Sequence, residues 1–146
     1  MSEWKDILED VTAFLNAQTF SEAITFERSY LPKERLADMH SKIGVVFPRA
    51  VTRQRANRAT HEVQRNVAVA IYDKIPAGDT VTGLDEILQV VNEVVSVLED
   101  KRYGDIDLST DLVANDPVYD YDRFAEHGIF VSIIVITLRG YEDANR

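Results

Sequence analysis

The sequence predicts an α+β fold in which a mixed, largely antiparallel four-stranded sheet carries two helices packed on one face, in the order α-β-β-β-α-β. Two segments place apolar residues three and four positions apart, which is typical of amphipathic helices. Four other segments alternate apolar and polar residues or are continuously apolar, which favours strands. With 146 residues, 45% of them apolar, and no cysteine, the chain can bury a core without disulfides. We therefore expect residues 1–146 to form a single domain.

The N-terminal part is predicted to contain one helix and two short strands. Residues 2–17 form the helix, and Ser2 can serve as its N-cap. Its apolar residues at helical spacing are Trp4, Ile7, Leu8, Val11, Phe14 and Leu15. Alternation over residues 24–29 indicates the first strand. The stretch KIGVVF at 42–47 indicates the second, which should end at Pro48 because proline lacks a backbone N–H.

A long hairpin is predicted to follow the second strand. Residues 60–75 form the third strand, with Arg65 on the same face as Val63 and Val67. A strand of this length is roughly twice the common one, so its first half should project beyond the domain. The result is a long projecting β-hairpin with a basic tip.

The C-terminal half contributes one helix and one strand to the prediction. The helix should run from Leu84 to Lys101, with Thr82 and Asp85 as a weak capping box. We expect residues 102–128 to be acidic and irregular. The nearly all-apolar residues 129–138 indicate a central strand, followed by a short polar tail.

Charge is distributed unevenly along the chain. The net charge is −9, yet residues 48–75 hold six basic and two acidic side chains, whereas residues 76–146 hold five basic and fifteen acidic ones. The basic stretch contains Arg49, Arg53, Arg55, Arg58 and Arg65. Such asymmetry favours contacts between copies of the chain or with charged partners. Overall acidity argues against general nucleic-acid binding, as does the lack of aromatic residues between the arginines.

These five arginines are predicted to lie at a contact with a second subunit. The acidic surface that we expect to meet them belongs to a neighbouring copy. Its proposed residues are Asp105, Asp107, Asp111, Asp120 and Asp122. Such a contact is head-to-tail, and it closes into a ring when the rotation between copies permits.

The sequence contains no recognisable catalytic or metal-binding motif. It lacks the nucleophile-elbow, phosphate-loop, dinucleotide and zinc-protease signatures. His40, His61 and His127 are widely spaced, and the aspartates of DIDLSTD fit a calcium loop poorly. We therefore expect no catalytic residue, metal or cofactor. The longest apolar run has ten residues, too few to span a bilayer as a helix, so we expect no membrane association.

Five stretches together resemble the tail terminator, or tail completion, proteins of tailed bacteriophages. They are ITFERSYLPKERLADM, IGVVFP, EVQRNVAVAIYDKI, LDEILQVVNEVVSVLED and FVSIIVITLRG. The likeness covers almost the whole chain and is one of pattern. It implies a mixed α/β fold and a homo-oligomeric ring, usually a hexamer, that caps the tail tube, stops its polymerisation and faces the head-side connector. It further implies a place in the neck of the virion tail after assembly in the host bacterial cytoplasm.

The resemblance leaves several alternatives open. In such a ring, the five arginines could instead contact the tail tube or face the channel, where they could make transient contact with the genomic DNA that passes through. A head completion or neck protein would instead bind the portal side of the same assembly. In a different class, a metal-dependent hydrolase would use the acidic segment 99–122, and a plain nucleic-acid-binding module would use the arginines.

Overall fold

The computed structural model describes residues 4–30, 42–75, 78, 80–99, 101–103 and 108–143. Over these residues the chain forms six mixed strands in one curled, half-barrel sheet and three helices. The helices are α1 (Trp4–Asn16), α2 (Thr80–Leu98) and α3 (Tyr121–His127). The strands are β1 (Ile24–Arg28), β2 (Lys42–Arg55), β3 (Thr60–Lys74), β4 (Arg102–Tyr103), β5 (Leu108–Ala114) and β6 (Ile129–Asp143).

The strands lie in the order β1-β2-β3-β6-β5-β4. β1 runs parallel to β2, and the other four pairings are antiparallel. β3 and β6 pair continuously from Thr60 opposite Asp143 to Lys74 opposite Ile129. These two long strands therefore form the centre of the sheet.

The main apolar core lies between one face of the sheet and the helices. α1 contributes its fully buried residues Ile7, Leu8, Val11 and Leu15, as its sequence pattern predicts. α2 contributes Ile87, Val90, Val91, Val94 and Leu98. β1 is held to α1 by Asn16, whose side chain accepts from the N–H of Phe26 and donates to its carbonyl, both at 2.9 Å.

The predicted arrangement of four strands and two helices in the order α-β-β-β-α-β is wrong. Within the described residues, the segment predicted to be irregular contains β4, β5 and α3. β4 has only two residues, and the register of β5 shifts between Thr110 and Leu112, which breaks the alternation that reveals a strand. With seven residues, α3 is too short to show a helical period. It is defined by its ends, the N-cap Asp120 and the left-handed Gly128 at φ 66°.

The second strand does not end at Pro48 as predicted. β2 continues to Arg55, and Pro48 lies opposite Val67 within it. Proline is tolerated at sheet edges and bulges. Both conditions hold here, because the pairing of β1 with β2 stops at Val46 and the register of β2 shifts between Pro48 and Ala50.

Two predicted boundaries are also wrong. α2 begins at Thr80, so the expected cap Thr82 lies inside the helix. Gly83, a poor helix former, concealed this first turn; its missing side chain lets the helix approach Ile75, whose methyl group would lie 2.7 Å from a Cβ at Gly83. At the C-terminus, the expected polar tail continues β6 as far as Asp143.

The predicted projecting hairpin has a third strand. Residues 49–55 of β2, 60–66 of β3 and 137–143 of β6 pair side by side, and their inner end adjoins the main core at Leu138. We call this extension the β-arm. All seven of its β2 residues are exposed. The turn at its tip is ordered by Asn57, whose side-chain oxygen accepts from the N–H groups of Ala59 at 2.8 Å and Thr60 at 3.0 Å.

We expect Gly44→Ala to destabilise the protein by about 1–3 kcal/mol, the usual cost of overpacking a core. The ring of Phe26 on β1 lies directly over Gly44, its register partner on β2, and would overlap a Cβ there. Urea unfolding would measure the change. Gly78→Ala is the matched control, because a Cβ at Gly78 would meet no atom within 4 Å. Equal stabilities of the two variants would contradict the packing described here.

Candidate functional site at the β-arm and its base

An ion-pair cluster joins the three strands of the β-arm. Glu142 on β6 accepts hydrogen bonds from Arg53 on β2 and from Arg65 on β3, with both N–O distances 2.6 Å. Arg65 is buried, whereas the side chain of Arg53 is 53% exposed. Arg53 lies opposite Val63, and Glu142 lies opposite His61. Because His61, Val63 and Arg65 point to the same side of β3, all three charged side chains lie on one face of the arm.

Glu142 is held as a carboxylate by these two contacts. The hydrogen bond from Arg53 lowers the pKa of Glu142 most, and that from Arg65 lowers it further, against an opposing effect of burial. Charge-assisted hydrogen bonds of this kind are among the strongest that side chains make. Because this β6 carboxylate binds one arginine on β2 and one on β3, it links all three strands across the width of the arm.

The opposite face of the arm carries a second, weaker cluster. Arg139 on β6 lies 3.7 Å from Glu62 and 3.6 Å from Asp111. Its side chain is 42% exposed, so water screens these pairs and each contributes little. Asp111 was predicted to meet a neighbouring copy, and in the structure it has a partner within its own chain.

The arginines at the tip are not neutralised in the same way. Arg55 donates to the carbonyl of Asn57 at 3.3 Å, and Arg58 lies exposed in the turn. Among the described residues, neither has an ion pair. Two of the five arginines predicted as a contact, Arg53 and Arg65, thus stabilise the arm internally, while Arg55 and Arg58 remain available at its tip.

Arg49 lies at the base of the arm, at the point where the register of β2 shifts. It lines an open groove of about 980 Å³ on the face of the sheet opposite α1 and α2. We call this cavity the base groove. The other lining residues are Asn66, Tyr72, Ala114, Asp116, Pro117, Tyr119, Asp120, Tyr121, Asp122, Arg123, Val131, Ile133 and Val135.

One wall of the base groove is the segment between β5 and α3, and it is fixed to β6. The hydroxyl of Ser132 donates to the carbonyl of Val118 at 2.6 Å, and Asn115 donates to the Ser132 hydroxyl at 3.0 Å. The ring of Tyr119 stacks on Phe130 at 5.4 Å. This wall is therefore held by polar contacts and by aromatic packing.

The wall presents carboxylates to the groove. Asp120 is used as the N-cap of α3, where it accepts from the N–H of Arg123 at 3.0 Å. Asp116 and Asp122 are exposed and have no ion pair among the described residues. Of the predicted acidic surface, Asp120 and Asp122 thus share one groove, Asp111 lies apart, and Asp105 and Asp107 lie outside the described residues.

Sequence reasoning missed Glu142 and the base groove. Glu142 was placed in a polar tail, although Leu138, Gly140 and Glu142 continue the two-residue period of β6. The groove could not be inferred, because its walls come from strands and a segment far apart in sequence.

The described residues show neither a metal-binding cluster nor a membrane-spanning helix. Among them, no group of three or more histidine, aspartate or glutamate side chains is arranged to hold a metal ion. None of the helices in the described part of the chain is long and apolar enough to span a membrane. No protein-family model matches the sequence, and comparison with curated proteins finds no significant relative.

We expect Glu142→Gln to destabilise the protein by about 3 kcal/mol, because it leaves the buried Arg65 guanidinium without a counter-charge. Glu62→Gln on the same arm is the control, since its half-exposed pair should contribute less than about 1 kcal/mol. Urea unfolding of both variants would measure the difference. Equal, small losses would show that the cluster does not stabilise the arm.

The contribution of Glu142 should also depend on pH. Because folding lowers its pKa below the usual 4.5, the stabilisation is complete well above pH 4.5 and is lost as the pH falls through the lowered value. The difference in unfolding free energy between the wild type and Glu142→Gln should therefore be constant above about pH 6 and shrink towards pH 3. A difference that does not change over this range would contradict the assignment.

Proposed function

We propose that the protein is a non-enzymatic structural component of a bacteriophage tail. In this proposal it forms a ring on the end of the tail tube, stops the polymerisation of the tube and joins the tail to the head-side connector. The observation that carries the proposal is the β-arm, a braced three-stranded extension with unneutralised arginines at its tip. An arm of this kind is suited to holding on to another subunit.

The length of the β-arm favours a contact between different surfaces of neighbouring copies. From Arg49 to Asn57 the strand advances by eight residues, or about 26 Å. A subunit whose arm tip binds a different surface of the next subunit makes a head-to-tail contact. Repeated contacts of this type close into a ring when the rotation between copies permits. The hexamer implied by the family resemblance is one such ring.

The outer edge of β2 supports the proposal independently. Past Val46, and within the described residues, β2 pairs with β3 alone, so the backbone of residues 49–55 is open on its outer side. An open edge can accept a strand from a neighbouring subunit or from the tail-tube protein. The arginines along it discourage indiscriminate pairing.

The partners in this proposal are further copies of the chain, the tail-tube subunit and the head-side connector. The protein acts at the neck of the virion tail and assembles in the host bacterial cytoplasm. Arginines at the tip would also allow transient contact with the genome as it passes, since guanidinium groups pair well with phosphate.

We expect the purified protein, mixed with tail tubes assembled from the tube protein of the same genome, to form rings or caps at one tube end. Negative-stain electron microscopy would show them. The double variant Arg55→Glu/Arg58→Glu should fail to cap while remaining folded by circular dichroism. Lys5→Glu/Lys74→Glu is the control, because both lysines are exposed outside the β-arm and the net charge changes equally.

Two outcomes would contradict the proposal. Wild-type protein that leaves tube ends uncapped and tube length uncontrolled would remove the terminator function. Caps formed by the tip variant as well as by the wild type would show that the tip arginines take no part.

A further inference from the structure

We infer that the base groove receives the tip of the β-arm from a second copy of this chain. The inference rests on the proposed function for the existence of contacts between copies, and it specifies the two surfaces that meet. The unpaired charges on each surface, the apolar floor of the groove and the reach of the arm support this contact.

The base groove combines an apolar floor with unpaired carboxylates. Ile133 is 39% exposed on its floor, next to Val131 and Val135, and Tyr121 on the wall is 60% exposed. Its lining holds three aspartates against two arginines, Arg49 and Arg123. Asp120 caps α3, whereas Asp116 and Asp122 have neither that role nor an ion pair among the described residues. A matching occupant therefore brings cations on stems with apolar surface, which is the chemistry of arginine side chains.

The tip of the β-arm has this composition. It presents Arg55 and Arg58 around a turn whose other side chains, Ala56 and Ala59, are small. The turn is already ordered by Asn57, so little conformational entropy is lost when it docks. A volume of about 980 Å³ is sufficient for a few side chains of this size.

Arg49, on the opposite wall, does not prevent this docking. It lies on β2, whereas the acidic wall follows β5, and the two strands are separated by β3 and β6 in the sheet. Three strand spacings amount to about 14 Å. The guanidinium groups of an incoming tip can therefore contact Asp116 and Asp122 while remaining distant from Arg49.

The occupant must come from another copy. Arg49 borders the groove, and the tip of the same arm lies about 26 Å further along β2. Because Glu142 joins the strands across the arm, the arm does not fold back onto its own base. Each copy thus offers one tip and one groove, so the contact repeats from copy to copy.

The lack of cysteine allows a direct cross-linking test. Ala59→Cys places a thiol in the tip, and Ala114→Cys places one in the base groove; both leave every charge intact. Ala13→Cys, exposed on α1, is the matched control. We expect a short bismaleimide to join Ala59→Cys with Ala114→Cys about tenfold more efficiently than Ala59→Cys with Ala13→Cys, since docking raises the effective concentration of the thiols.

Two further measurements identify the charges. Adding Arg58→Glu to the Ala59→Cys protein should abolish its preference for cross-linking to Ala114→Cys. Adding Asp122→Arg to the Ala114→Cys protein should then restore that preference. High salt should reduce the preference, because part of the contact is exposed. Equal yields of the two pairs, both for the free protein and with tail tubes present, would overturn the inference.

The outcome separates docking from the terminator function. Selective cross-links in protein that does not cap tubes would support docking and reject termination. Capped tubes without selective cross-links would support termination and reject docking of the tip in the base groove.

Discussion

One carboxylate, that of Glu142, joins the three strands of the β-arm. It lies 2.6 Å from Arg53 on one outer strand and 2.6 Å from the buried Arg65 on the central strand. Without it, the arm would hold an uncompensated buried cation at Arg65, whose register partner Leu138 belongs to the main core. The same contacts neutralise two arginines, so the unpaired basic charge of the arm, within the described residues, is concentrated at Arg55 and Arg58. Rigidity and charge placement thus have a common cause.

The sequence predicts those parts of the fold in which periodicity and burial coincide. α1 was found from its single apolar face, the long β3 from its alternating pattern, and the start of β6 from its nearly continuous apolar run. The sequence pattern fails to predict elements that contain a residue or a register shift unfavourable to them. β2 continues past Pro48 at an open sheet edge, α2 contains Gly83 in its first turn, and β5 has a register shift. Each of these departures depends on contacts with residues outside the element itself, which the local pattern does not reveal.

The candidate site was only partly predictable, for a similar reason. A cluster of arginines on a hairpin is visible in the sequence, but its internal pairing depends on Glu142, some eighty residues away. Likewise, an acidic segment is visible, yet Asp111 is paired with Arg139, while Asp116 and Asp122 have no ion pair among the residues that the structure describes. Formal charge along a chain indicates which regions can attract each other, and the strand register decides which side chains remain available to do so.

The central claim is that the β-arm is a rigid unit before it meets a partner. Hydrogen–deuterium exchange of the free protein, followed by mass spectrometry over residues 50–55, 60–66 and 137–142, tests this most directly. We expect amides paired between these strands to exchange slowly and together, and Glu142→Gln to release protection in all three segments while α1 and the core of β3 stay protected. Exchange of the wild-type arm at unprotected rates would contradict it, because the arm would then become ordered only on binding.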